Sequence, residues 1–246
     1  MVAGKNKQKS VARYARDLAR RSPKRDPYNK VLIVCEGGKT EPNYFNELIN
    51  YHRINSANVK IDGSCGSSPK SIVKYGYQLY EAEKKKGDAY DQVFCVFDKD
   101  SHDSYHWSIN FVTTTDENIK NILAEEDDEN QESSKDDITV FNAITSVPCF
   151  EFWVILHFIY TTKPYASTGS KSSCDCVIND LKKHINKYKK SEENLYSTLY
   201  NKIDTAKNNA IKANKAAKSS GTDNPTTLIQ ELVDILQNIK KPPKKS

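Results

Sequence analysis

The sequence predicts an α/β fold in which a mostly parallel β-sheet lies between helices and is followed by a helical C-terminal extension. Two segments are apolar without interruption, Val-Leu-Ile-Val-Cys at 31–35 and Val-Phe-Cys-Val-Phe at 93–97. Runs of this length are typical of strands that are buried on both faces. Segments with helical spacing separate the apolar runs, and this alternation favours parallel strands.

Each element of this pattern has its own signal. The predicted strands lie at 31–36, 59–61, 93–97 and 138–144. Thr40 caps the first helix and has Pro42 in its first turn, and Ser67-Ser68-Pro69 opens the second, which ends near Gly87. The apolar segment Phe150–Tyr160 predicts a buried helix. Two or three more helices are predicted, at about 175–189, 192–218 and 225–240.

The elements divide the chain into three predicted regions. Residues 1–30 are a basic arm, residues 31–165 the α/β domain, and residues 166–246 a helical region that ends in a disordered basic tail. The last predicted helix carries an apolar stripe, which packs either on its own domain or on a partner. This stripe consists of Leu228, Leu232, Ile235, Leu236 and Ile239.

Charge is distributed unevenly along the chain. Residues 1–30 carry ten Lys or Arg against two Asp, a net charge of +8 in a chain whose net charge is +5. Such an arm either contacts nucleic-acid phosphates or is a solvated leader. The acidic run at 125–129, within 116–137, predicts an exposed loop. Because the sequence has neither a signal peptide nor an apolar run near the roughly 18 residues of a membrane span, we expect a cytoplasmic protein.

The six cysteines are predicted to be structural thiols. Cys35, Cys95 and Cys149 lie in apolar runs, which suits small buried thiols better than a disulfide framework. Cys174 and Cys176 form a C-x-C pair. Because no second pair accompanies it, the spacing is weak evidence for zinc.

Two of the predicted strands end in carboxylates, Glu36 after the first and Asp98 with Asp100 after the third. Ligands of parallel sheets bind at the carboxyl ends of strands, and residues two apart project to the same side. Two such charges at about 4 Å repel by about 4 kcal/mol at an effective dielectric of 20. A divalent cation removes this penalty, and a site with oxygen ligands alone favours Mg²⁺ or Mn²⁺ over Zn²⁺.

A glycine turn joins the first strand to the first helix. It consists of Gly37, Gly38, Lys39 and Thr40. A Walker A loop is excluded because that motif needs a glycine where Ile33 stands. Flexible glycines, a lysine and a helix N-terminus still predict a phosphate-binding segment. Glu41 follows directly, either as a second metal ligand or as a charge that favours the helix dipole.

Four motifs, in this order along the chain, resemble the RloB family over 31–240. They are Val-Cys-Glu-Gly-x-Lys-Thr-Glu-Pro-x-Tyr-Phe at 34–45, Val-Phe-Asp-x-Asp at 96–100, Ser-x-Pro-Cys-Phe-Glu-x-Trp-x-x-Leu-His-Phe at 146–158 and Asn-Pro-x-Thr at 224–227. The first and third are specific in combination. Val147 departs from the pattern, because the family usually has Asn there.

The resemblance implies a fold and an activity. The RloB family resembles TOPRIM-type nucleases, including the effector subunits of anti-phage systems such as PARIS, and is often paired with an ABC-type or AAA ATPase. By this resemblance the TOPRIM glutamate is Glu36 and the Asp-x-Asp pair is Asp98 and Asp100. Glu151 is then a further metal ligand, unless it pairs with a base, and Lys39 is a cation that assists catalysis.

Several functions agree with these observations. The leading hypothesis is a Mg²⁺- or Mn²⁺-dependent nuclease that hydrolyses DNA or RNA, tRNA included, in anti-phage defence. Topoisomerase or primase chemistry is disfavoured because the chain has no second domain large enough to carry a nucleophilic tyrosine. A binding module for nucleic acid or a partner is the non-catalytic alternative. The helical region 166–246, its apolar stripe included, and the acidic loop 125–137 are predicted to dock the ATPase, and the oligomeric state, homo-oligomers included, stays open.

Overall fold

The computed structural model describes residues 30–56, 58–126 and 139–239. The predicted basic arm, except for Lys30, lies outside the described residues. So do residues 127–137 of the predicted acidic loop and the basic tail.

Five strands form one sheet in the order β2-β1-β3-β4-β5. They are β1 (Val31–Cys35), β2 (Val59–Asp62), β3 (Gln92–Asp98), β4 (Val140–Val147) and β5 (Thr226–Thr227). The first four are parallel, which confirms the predicted α/β class and its parallel-rich sheet. β5 is antiparallel to β4 and sets Thr227 opposite Ser146. Thr226 and Thr227 were predicted to start the last helix, and they instead extend the sheet.

Helices connect the strands and complete the C-terminal part. They are α1 (Thr40–Tyr51), α2 (Pro69–Lys84), α3 (Tyr105–Glu126), α4 (Glu151–Ile155), α5 (Ser173–Leu181), α6 (Leu195–Leu199), α7 (Ile203–Ser219) and α8 (Ile229–Asn238). A 3₁₀ turn at Tyr200–Lys202 separates α6 from α7, so the helix predicted at 192–218 is interrupted. None of the described helices is both long and apolar enough to cross a membrane.

The helix predicted at Phe150–Tyr160 is wrong in length, because α4 ends at Ile155. His157 supplies a physical reason. Its Nδ1 atom lies 3.1 Å from the carbonyl oxygen of Trp153 and 3.2 Å from that of Val154, so the side chain takes up helical carbonyls. His157 is buried, and its Nε2 atom has no hydrogen-bond partner among the described residues.

The sheet is covered on both faces. Leu32 and Val34 of β1 pack with the side of the sheet covered by α2 and α3. Val31, Ile33 and Cys35 pack toward α1, α4 and the C-terminal helices. Since alternate residues of one strand face opposite layers and all five are fully buried, β1 lies in the centre of the protein.

The C-terminal helices share this core. Leu232 and Leu236 are fully buried, and Leu228, Ile235 and Ile239 are partly buried against the same cluster. The stripe therefore packs inside the protein and is not free to dock an ATPase. Docking through other surfaces of the region 166–246 stays a prediction. The described residues belong to one compact unit, within which the predicted boundary at 165–166 falls.

One pair of cysteines differs from the prediction. Cys149 and Cys174 form a disulfide, with their Cα atoms 5.7 Å apart. They are 25 residues apart in the sequence, and the packing of α5 against α4 brings them together. Cys35 and Cys95 are buried free thiols, as predicted.

Candidate functional site

The ends of β1 and β3 lie side by side. Cys35 pairs with Val96, and the main-chain N–H of Glu36 donates to the carbonyl oxygen of Val96 at 3.1 Å. The N–H of Asp98 in turn donates to Oε2 of Glu36 at 3.1 Å. Two carboxylates from the ends of neighbouring parallel strands are therefore adjacent, at the edge of the sheet where ligands of such folds bind.

Glu41 also lies at this edge. It belongs to the first turn of α1 and is only 7% exposed. Burial first, and then the charges of Glu151 and Glu36, raise the pKa of Glu41 to about 8. A residue placed only to favour the helix dipole would remain in solvent. Because the charges of Glu36 and Glu151 raise its pKa, the carboxyl group of Glu41 lies within electrostatic range of both.

Glu151 completes the group from the start of α4. Its side chain is 2% exposed, and its Oε1 atom accepts a hydrogen bond from Oη of Tyr188 at 3.2 Å. Burial raises the pKa of Glu151, and Lys190 opposes this shift. Burial, followed by the charges of Glu41, Glu36 and Glu151, also raises the pKa of Asp98 well above its usual range. We call Glu36, Glu41, Asp98 and Glu151 the carboxylate cluster.

Main-chain hydrogen bonds hold the end of β3 against the segment between β4 and α4. Phe150 N–H donates to Oδ2 of Asp98 at 3.1 Å. The N–H groups of Lys99 and Asp100 donate to the carbonyl oxygens of Ser146 and Pro148, each at 3.0 Å. These bonds form with Val147 at the position where the family usually has Asn.

Asp100 occupies the rim of the site. It is exposed, its φ is +31°, and its Oδ1 atom accepts a hydrogen bond from Oγ of Ser173 at 3.3 Å. Because β3 ends at Asp98, the strand alternation used to predict convergence of Asp98 and Asp100 does not extend to Asp100. Its charge nevertheless contributes to raising the pKa of Glu36, so it lies within electrostatic range of the cluster.

Positively charged side chains nearby offset part of the negative charge of the carboxylate cluster. Lys190, between α5 and α6, opposes the upward pKa shifts of Glu36, Glu41 and Glu151. The hydroxyl of Thr40 donates to the main-chain oxygen of Lys190, which ties this lysine's segment to the start of α1. His102 Nε2 lies 3.9 Å from Oε1 of Glu36.

The glycine turn after β1 carries exposed main-chain N–H groups that can donate hydrogen bonds. Gly37 has a φ of +65°, which a residue with a side chain rarely adopts. A Cβ atom on Gly63 would lie 2.2 Å from the oxygen of Gly37, so the loop after β2 packs directly on this turn. Gly38 and Lys39 are exposed, and within the described residues their N–H groups make no hydrogen bond.

The donor set fits a hard divalent cation. All four groups of the cluster bind through oxygen, the ligand type that Mg²⁺ and Mn²⁺ prefer. Among the described residues, the trio with three potential ligand atoms within 4.8 Å is Cys149, Glu151 and Cys174. Because its two sulfurs form the disulfide, they are not thiolate ligands. Among the described residues, no three carboxylates of the cluster have oxygens that all lie within 4.8 Å of one another.

Sequence reasoning missed some of these residues. Glu41 was noticed, but nothing local distinguishes a helix-capping charge from a buried one. Tyr188 lies in the helix predicted at 175–189, which ends at Leu181 in the structure, and Lys190 directly follows that range. No motif singled out either residue. All three join the site through packing between distant parts of the chain.

Comparison with known proteins gives one match. The model of the family described as RloB-like protein matches residues 31–236, a span that includes all five strands and the whole carboxylate cluster. No curated protein matches the chain.

Proposed function

This chain belongs to the RloB-like family, and we propose that it is a Mg²⁺- or Mn²⁺-dependent nuclease that hydrolyses phosphodiester bonds in DNA or RNA. One observation carries the proposal. The carboxylate cluster gathers four acids from β1, α1, β3 and α4 at the ligand-binding edge of a parallel sheet.

The cluster costs the folded protein stability. Burial raises the pKa of each of its four members, so every ionised carboxylate there is less stable than in water. Lys190 and His102 offset only part of this cost. Titratable groups with perturbed pKa values that gather in one place are typical of functional sites. A divalent cation supplies the missing positive charge.

Glu36, Asp98 and Glu151 would hold the cation, Glu41 would add a fourth carboxylate, and Asp100 would act from the rim. When bound, the cation supplies positive charge that stabilises the phosphate oxygens in the transition state and makes an attacking water more acidic. A set of oxygen donors suits this role, because it holds the ion without removing its charge.

Residues of the chain would accept a proton, bind a phosphate group and orient Glu151. Glu36, whose side chain is 20% exposed, can accept a proton from water that enters the site, and the N–H of Asp98 holds its Oε2 atom in place. The free N–H groups of Gly38 and Lys39, with the Lys39 ammonium, can bind a phosphate group at the start of α1. Tyr188 orients Glu151 through its hydroxyl.

The biological setting follows from the resemblance of the family to TOPRIM-type effectors. On that ground we place the activity in anti-phage defence, in the cytoplasm, with an ABC-type or AAA ATPase partner. Because the apolar stripe of α8 is buried, the partner surface lies elsewhere.

A cleavage assay tests the proposal. Purified protein is incubated with plasmid, single-stranded DNA and total tRNA, in Mn²⁺ or in EDTA. We expect the parent to cleave at least one substrate in Mn²⁺ and none in EDTA. Glu36→Gln and Asp98→Asn should lose this cleavage. Asp204→Asn, a control at an exposed carboxylate of α7, should keep it. If the parent binds these nucleic acids but cleaves none of them, the chain is a binding module and the proposal fails.

A further inference from the structure

A group of aromatic and basic residues lies on the surface formed by α2 and α3. It consists of Lys70, Lys74, Tyr77, Trp107 and Phe111, which we call the aromatic–lysine patch. α2 starts at Pro69 after β2, and α3 starts at Tyr105 after β3. In a parallel sheet such helices begin at the carboxyl ends of the strands, so the first turns of α2 and α3, with Lys70 and Trp107, lie toward the edge of the sheet that holds Asp98. Tyr77 lies further along α2, with its ring 6.4 Å from that of Phe141 near the start of β4.

The aromatic rings of the patch are ordered without being buried. Trp107 is 42% exposed, and its ring stacks on Phe111 with centroids 5.2 Å apart and planes at 24°. Tyr77, 37% exposed, meets Phe111 edge-on at 6.1 Å. Single exposed apolar residues are ordinary, but three adjoining rings form a surface. Phe111 thus fixes the Trp107 ring at the surface.

Two positive charges lie against this surface. The Nζ atoms of Lys70 and Lys74 are 5.2 and 5.8 Å from the centroid of the Trp107 ring, within cation–π range. Both side chains are exposed and come from consecutive turns of α2. Among the residues that the structure describes, neither lysine forms an ion pair. Their charges are therefore available to an anionic ligand.

We propose that the aromatic–lysine patch binds an unpaired nucleotide of single-stranded DNA or RNA. A base takes the place of the two ammonium groups over the Trp107 ring, and Lys70 and Lys74 then contact the phosphates on either side. The inference rests on the proposed function, for which it names the substrate class. Every base offers a flat face to an aromatic ring, and lysines neutralise the backbone. A duplex keeps its bases stacked inside, so the ring surface selects strands with unpaired bases.

The two tryptophans of the chain allow a direct test. Trp107 is exposed and Trp153 is fully buried, so a ligand at the patch quenches the fluorescence of Trp107 alone. The full-length protein is titrated in EDTA, where no metal-dependent cleavage occurs, with oligo(dT), oligo(U) and a duplex of equal length. We expect quenching by the single strands and weaker binding of the duplex. The first two arms distinguish DNA from RNA.

Variants separate stacking from charge. Trp107→Ala should weaken binding of a labelled oligonucleotide by roughly tenfold, the effect of one lost base–aromatic stack. Tyr160→Ala, which removes a ring that is 50% exposed, is the control and should leave affinity unchanged. Lys70→Ala with Lys74→Ala should flatten the slope of log affinity against log salt by about 1.4, two single-strand phosphates. The control Lys212→Ala with Lys215→Ala, at exposed positions of α7, should leave this slope unchanged.

Several outcomes overturn the proposal. Equal affinity of the parent and Trp107→Ala does so, as does tighter binding of the duplex than of either single strand. Polyglutamate that binds as tightly as oligonucleotide, and depends on the lysines but not on Trp107, would mark a surface for an acidic protein. Single-strand binding that follows the predicted pattern in a protein without Mn²⁺-dependent cleavage would keep the patch and reject the nuclease. Mn²⁺-dependent cleavage by the parent, together with unchanged binding in Trp107→Ala, would keep the nuclease and reject the patch.

Discussion

The main-chain N–H of Asp98 donates a hydrogen bond to Oε2 of Glu36, with the two atoms 3.1 Å apart. The bond links the last residue of β3 to the residue that follows β1, so the pairing of the two strands sets the position of the Glu36 carboxylate. Since a backbone group makes the contact, the side chain of Asp98 can be changed without releasing Glu36. Substitutions at this position therefore report on charge more than on geometry.

Asp98→Asn should melt at or above the temperature of the parent in EDTA, because it removes an acid whose ionisation burial and three neighbouring carboxylates oppose. The asparagine oxygen can still accept the hydrogen bond from Phe150 N–H. Mn²⁺ should raise the melting temperature of the parent and of Asp204→Asn, but not of Asp98→Asn. A variant that melts well below the parent would identify Asp98 as a structural residue.

Glu41 should make the metal-free protein less stable as pH rises. Its pKa is about 8 in the folded protein against a usual 4.5, so the folded state holds a proton that the unfolded chain has released. The contribution of Glu41 to the free energy of unfolding is fully present below pH 4.5 and is lost as pH rises to 8. Between pH 6.5 and 8 we expect the titration of Glu41 to lower the free energy of unfolding, measured in urea, by about 2 kcal/mol.

Glu41→Gln should make the decrease in stability between pH 6.5 and 8 smaller, because glutamine does not titrate, while Glu36, Asp98 and Glu151 keep their own contributions. Glu117→Gln, at an exposed position of α3, is the matched control and should keep the slope of the parent. An identical slope in the parent and Glu41→Gln would place Glu41 in solvent and outside the cluster.

His157 should act in the opposite direction at acidic pH. Burial lowers its pKa to about 4, so its contribution to stability is present above pH 6.5 and is lost as pH falls toward 4. His157→Phe lacks this titration. Relative to the parent, the variant should gain about 2 kcal/mol between pH 7.5 and pH 5. A constant difference between the two unfolding free energies across that range would rule out a buried neutral histidine.

The disulfide predicts a thiol count. Of the six cysteines, Cys149 and Cys174 are bonded, so protein denatured without reductant should show four reactive thiols and six after reduction. Cys174→Ser should show five, and should lose about 3 kcal/mol of stability by the loop-closure estimate. Cys176→Ser, at a free cysteine, should show three. Six thiols before reduction would mean that the bond does not form in solution.

Much of the sheet could be predicted from the sequence. β1 and β3 are apolar without interruption because both faces are covered, and the polar residues that follow mark where each strand ends. The adjacency of Glu36 and Asp98 then follows from parallel pairing alone. β5 could not be found in this way, because two threonines carry no periodicity. Its pairing with β4 depends on where α7 and α8 are placed.

The rest of the site depends on tertiary packing. Glu41 is buried because α1 lies against the sheet edge beside Glu151, and local sequence shows only an acid in a first helical turn. Lys190 reaches the cluster from a segment about 150 residues after α1 begins, as the hydrogen bond from Thr40 to its carbonyl shows. The disulfide likewise depends on α5 packing on α4.

Mn²⁺ binding, measured by electron paramagnetic resonance of the free ion, tests the central claim most directly. The parent should remove Mn²⁺ from solution. Glu36→Gln and Asp98→Asn should bind it at least tenfold more weakly, because each loses a charged oxygen ligand. Glu117→Gln and Asp204→Asn should bind as the parent does. A parent that binds no Mn²⁺, or cluster variants with the affinity of the parent, would contradict the assignment of this edge of the sheet as a metal-dependent active site.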